Sequence, residues 1–155
     1  MTTLHDPLVV ASTSLIEHQV LNHVKQALRV TLEWDAPVVS LPRKLSSLQF
    51  TIKSFRRHLE RVMSVEEEGG YLEEAAEAKP NLQSRIESLT RDHVRFRARV
   101  REIVPELDAL SEWQEERFGS LCQEIHHLLD DIDRHDAREI DLLQESMLMD
   151  DGGEG

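Results

Sequence analysis

Apolar residues recur at alternating steps of three and four along most of the chain, and each series is broken by an ionisable residue. One series runs Leu41, Leu45, Leu48, Ile52, Phe55, Leu59 and Val62, then meets Glu66. A second runs Leu82, Ile86 and Leu89, is interrupted by His93, and resumes at Phe96, Val100 and Ile103. A third runs Phe118, Cys122, Ile125, Leu129 and Ile132, with Leu121 and Leu128 alongside; His135 and Glu139 continue it before Leu142 and Leu143. Upstream, Leu15, Leu21, Val24, Leu28 and Leu32, with Val20 and Ala27, make a broader face with His18 on its flank. Such spacing marks the buried side of a helix. A bare polar group on that side costs roughly several kcal/mol, so these residues must be paired, protonated or bound to something. One partner that could serve them all is a metal ion.

The spacing predicts four long helices. The first starts at Ser12 or Ser14 as N-cap and ends near Trp34. Pro37 and Pro42 break the chain before a second helix over about 43–68, which Gly69 and Gly70 stop. An acidic, alanine-rich stretch, 71–79, suits a short extra turn before Pro80 and Asn81 open the third helix. That helix runs to about Ile103, with Pro105 ending or kinking it, and the fourth spans about 112–148. Residues 1–11 read as an extension and 149–155, acidic and glycine-rich, as a disordered tail around a bundle over 12–148. No strand pattern or repeat is visible. Four helices with short links give an all-α, up-down-up-down four-helix bundle.

Composition narrows the function. The formal net charge of −12 argues against a nucleic-acid partner, because acidic residues interleave with the basic ones at Arg56, Arg57 and between Arg91 and Arg101. No apolar run reaches the ~18 residues of a membrane span, and the N-terminus has no basic segment ahead of an apolar one, so neither a membrane partner nor a signal peptide is expected. The single cysteine, Cys122, excludes an internal disulfide, reads as a small core residue and fits the cytoplasm. His126 and His127, at the edge of the third series, read as surface histidines.

The order of these polar residues resembles the hemerythrin-like, or HHE cation-binding, domain. The matching segments are Glu17-His18 in the first helix, Val62 to Glu66 in the second, Asp92-His93 in the third, and His135 to Glu139 in the fourth. The acidic end of the second helix, from Glu66 on, is similar to that of bacterial members. The resemblance covers about residues 12–148. It implies a four-helix bundle with a non-haem di-iron centre held by His and Glu or Asp from all four helices. Two positions depart from the pattern: Val62 stands where a histidine is expected four residues before Glu66, and Arg97 where a second third-helix histidine occurs in part of the family.

The candidate metal ligands are therefore His18, Glu66, His93, His135 and Glu139, with His58 and Glu67 as substitutes for the missing nitrogen. His58 lies one turn before Val62, ~6 Å too far along the axis. Depths counted from the predicted helix ends scatter by roughly 10–15 Å, though all fall toward one end of the bundle. Imidazole with carboxylate suits iron, and also manganese or zinc. Five ligands hold one ion well and two only unequally, which leaves an open position for O2 or a small anion. The expected function is iron or O2 binding, sensing or storage. The alternatives are a degenerate metal-free bundle acting as a protein-interaction module, for which Val62 speaks, and an iron-dependent oxidase or peroxidase, for which no substrate site is visible.

Overall fold

In the computed structural model the chain is described over residues 7–35, 37–69, 77, 79–111 and 114–152, with side chains described between 14 and 146 of these spans. Among the described residues four long α-helices follow one another: α1 (Pro7–Leu32), α2 (Leu41–Gly69), α3 (Gln83–Asp108) and α4 (Glu115–Gly152), with a 3-10 turn, Pro80–Leu82, leading into α3. The extra turn expected over 71–79 lies almost wholly outside the described residues.

The helix ends differ from those the sequence predicts. α1 begins at Pro7, ahead of the serine caps, with proline at the first position where its missing N–H is no loss. α3 passes through Pro105, which removes one ladder bond to the preceding turn, and ends at Asp108. α4 continues to Gly152, past the predicted boundary at Leu148.

The helices pack in a ring: α1 on α2, α2 on α3, α3 on α4, and α4 back on α1. Ion pairs between neighbours give their directions. Lys25 and Arg29 of α1, and Glu33 just past its end, meet Asp133, Asp130 and His126 of α4, so numbers rise on one side as they fall on the other. Lys53, Glu60 and Glu66 of α2 meet Asp108, Arg97 and His93 of α3 in the same opposed sense. Arg85, Asp92, Arg99 and Glu106 of α3 face Glu145, His135, Asp131 and Arg117 of α4. These antiparallel ladders fit the up-down-up-down order.

The stripes meet inside. A large apolar core holds Leu21, Leu28, Leu48, Ile52, Phe55, Phe96, Leu121, Ile125, Leu128 and Ile132, among others. A separate small cluster of Leu82, Ile86, Leu89 and Leu142 sits at one end. Burying a side chain of this size contributes ~1.5–3 kcal/mol, so these contacts dominate the packing. The first helix is the least faithful to its stripe: Leu15 is 61% exposed and Ala27 is also at the surface. Among the described residues no helix is long and apolar enough to cross a membrane.

Candidate metal centre

Each helix interrupts its apolar stripe at the same level. On α3 the break falls between Leu89 of the small cluster and Phe96 of the large core; on α4 it falls between Ile132 and Leu142. Into that gap project Glu66 from α2, His93 from α3, and His135 and Glu139 from α4, all buried, with half-buried His18 from α1. The five residues singled out by sequence thus converge. Depth counted from helix ends misled because the helices project unequally past the site: His18 lies about three turns into α1 and Glu66 within a turn of the end of α2, yet the two side chains meet.

The ligand atoms sort into two groups. One oxygen of Glu66 and one ring nitrogen each of His93 and His135 lie within 4.8 Å of one another. So do one atom each from His18, Asp136 and Glu139. Glu66 faces both groups, its Oε1 being 3.1 Å from His18 Nε2 and its Oε2 2.9 Å from His93 Nε2. His135 Nε2 lies 3.6 Å from Glu139 Oε2.

All three histidines turn the same nitrogen inward because the other is held from outside. His18 Nδ1 donates to the Ser14 carbonyl at 2.8 Å. Nδ1 of His93 meets Glu67 Oε2 at 3.0 Å, and Nδ1 of His135 meets Asp92 Oδ2 at 2.9 Å. A histidine whose Nδ1–H is so engaged presents a lone pair on Nε2, the arrangement that orients metal-ligating histidines. The rings pack tightly: His93 and His135 are 5.1 Å apart, and Phe96 lies edge-on to His135.

Electrostatics show what this cluster does without a cation. Burial would raise the Glu66 carboxyl, but the imidazoles of His18 and His93 hold it down at about 2. The Glu66 carboxylate in turn raises His18 to about 9. His135 is also raised: burial opposes its charge, and Glu139 and Asp92 outweigh it. Asp136 is raised by burial, against the pull of Lys25. The His18 imidazole and the Glu66 carboxylate thus favour each other's charged forms.

The hydrogen bonding within this cluster is geometrically poor. Glu66 Oε1, Glu66 Oε2 and His93 Nε2 are fully buried, yet none makes a hydrogen bond of proper alignment among the described residues, despite the short separations. Buried polar atoms are almost always satisfied, and exceptions call for an explanation. Donors aimed at a common point rather than at one another suit a cation, and the donor set fits one: two imidazoles and a carboxylate for one position, an imidazole and two carboxylates for the other.

Three contributors were not evident in the sequence. Asp92, buried, bonds His135 and is itself clamped by Arg138 at 2.6 Å and Arg95 at 2.8 Å. Asp136 joins the second group. Lys25, only 6% exposed, reaches Asp133 at 2.8 Å and Asp136 at 3.3 Å.

The two substitutes for the missing nitrogen fall outside both groups. Glu67 is exposed and bonds His93 and Arg97, the latter also gripping Glu60. His58 is half-buried, and its Nδ1 is buried without a hydrogen bond among the described residues. Val62 is fully part of the large core. His127 is exposed and His126 half-buried near Glu33, as expected for edge positions. Cys122 is buried and its thiol is shifted up by burial, which disfavours a reactive thiolate.

A surface cavity of about 620 Å³ lies apart from these ligands, between α2 and α3, and is lined by Arg56, Arg57, Arg61, Arg97 and Arg101 over Leu59, Met63 and Val100. It shares none of the candidate ligands, and Arg97 connects the two through Glu67.

No curated protein and no solved structure matches this sequence. The family model of the hemerythrin HHE cation binding domain does, over residues 15–145, which span every ligand candidate named above. With most of its length matched, and with buried His and carboxylate donors gathered between its four helices, this chain belongs to the hemerythrin family of HHE cation-binding domains.

Proposed function

We propose that the chain binds non-haem iron through His18, Glu66, His93, His135 and Glu139, and serves in O2 or iron binding, sensing or storage. The observation that carries this reading is the buried triad of Glu66, His93 and His135, whose inward atoms lie within 4.8 Å while both Glu66 oxygens and His93 Nε2 lack a hydrogen bond among the described residues. Two imidazoles and one carboxylate form the donor set of many non-haem Fe(II) sites and leave positions open. Manganese and zinc accept the same donors. An iron ion there would supply reversible redox chemistry and an open position for O2 or a small anion. The protein's own residues fix the imidazoles, bury the carboxylates and exclude bulk water with Phe96 and the flanking leucines. Glu67 and Asp92 are assigned as positioning residues, since each holds the outer nitrogen of a histidine. A cytoplasmic location accompanies the proposal, on the strength of a lone, buried cysteine.

Metal analysis after purification with Fe(II), together with an absorption spectrum, tests the reading. Bound iron with near-ultraviolet charge-transfer absorption is the expected result. His135→Ala should abolish iron binding, whereas His127→Ala should leave it intact; equal retention by both would remove the assignment. Val62, which brings no donor to α2, favours the second reading of a metal-free interaction module. A protein that stays empty and whose melting temperature ignores Fe(II) would support that one instead.

A further inference from the structure

Helix α4 contributes more to this centre than the spacing of His135 and Glu139 suggests. Successive helical residues point ~100° apart, so His135 and Asp136 cannot serve one position. His135 faces α3, where Asp92 holds it. Asp136 faces α1, where Lys25 meets its Oδ2. Glu139 lies three residues on, on the same side of the helix as Asp136. Their carboxylates gather with His18 of α1 into a group distinct from Glu66, His93 and His135.

Building on the cation-binding reading above, we propose that Asp136 is a metal ligand which replaces the nitrogen that Val62 does not provide, completing with His18 and Glu139 a second, oxygen-rich position for a hard divalent cation. Two carboxylates neutralise the charge of such an ion, and one imidazole supplies its nitrogen. Carboxylate-rich sets suit Mn²⁺ and Fe²⁺ and lack the nitrogen that strengthens binding later in the first transition series. The two positions are therefore unequal: the first is nitrogen-rich and enclosed, the second oxygen-rich and lined by two half-buried residues, His18 and Asp136. Lys25 orients Asp136 without consuming it. Its ammonium is shared with Asp133, the closer partner.

The test is an anaerobic titration of chelator-stripped protein with Mn²⁺, reading free Mn²⁺ by its six-line paramagnetic resonance signal, and a parallel Fe²⁺ titration read by elemental analysis. Wild type should take two equivalents, the second at least tenfold more weakly. Asp136→Asn, which keeps shape and removes charge, should take one. His18→Gln should lose that same equivalent, whereas His93→Ala should lose the tighter one; His18→Gln carries the test if Asp136→Asn does not fold. Two equivalents with unchanged affinities in Asp136→Asn would overturn the inference, as would a wild type that binds one ion indifferently to this substitution, leaving the cation-binding reading intact. A wild type that binds neither metal would remove that reading as well.

Discussion

At the level of single residues, His93 and His135 differ from ordinary core histidines in having their outer nitrogens fixed by carboxylates. Asp92 is the more consequential of these partners, because Arg95 and Arg138 lock it in turn. Removing its charge should leave the stoichiometry of metal binding unchanged but weaken affinity by ~10–100-fold. Chelator competition with Asp92→Asn measures this, and a wild-type affinity would dissociate Asp92 from the centre. Four of the ligand candidates, Glu66, His93, His135 and Glu139, were legible in sequence because each breaks an apolar stripe, whereas His18, on the flank of its face, stood out only as the first-helix member of the set. Asp92 and Asp136 follow the same rule less visibly. Asp92 is three residues after Leu89 and four before Phe96; Asp136 is four after Ile132 and three before Glu139. Each stands beside a histidine that drew attention to itself. Lys25 was hidden for another reason: a long stem lets lysine line an apolar face while its charge seeks partners on another helix.

For the helices, periodicity gave number, order and buried faces, and left the ends open. Ends depend on capping, and here the expected signals mislead: serine caps lie inside α1, and Pro105 lies inside α3. Leu15, counted toward the first stripe, is exposed because that stripe is broad enough to admit more than one rotational setting. Packing decides which apolar residues matter. Leu128 is wholly buried in the large core, whereas Val94, on the outer face of α3, is 63% exposed. Leu128→Ala should cost ~2–5 kcal/mol through lost contacts and a residual cavity. Val94→Ala should stay within ~0.5 kcal/mol. Urea denaturation of the metal-free protein compares them, and similar losses at both sites would contradict the placement of the α4 stripe.

Across the whole molecule, a cation that binds only the folded state adds stability by mass action. At a free Fe(II) concentration 100 times the dissociation constant the gain is ~2.7 kcal/mol. For a domain of this size that raises the melting temperature by about 5–10 °C. Calorimetry with and without Fe(II) measures it, and no rise at saturating metal would mean that binding does not involve the buried ligands. The surface works differently. Most of its ion pairs are exposed and individually worth ~0–1 kcal/mol, so the ladders between helices fix direction more than they add stability.

The polar stratum also divides the interior, with Leu82, Ile86, Leu89 and Leu142 on one side and the remaining core on the other. Four leucine-type side chains hold too little oil to keep that end closed unaided. Amide hydrogens near 82–89 and 139–146 should therefore trade with solvent deuterium well before those around Ile52 and Leu128, and the gap should narrow once a cation cross-links the rods between the two compartments. Occupancy would then be written in the breathing of one end of the barrel, a quantity that any partner touching that end could sense.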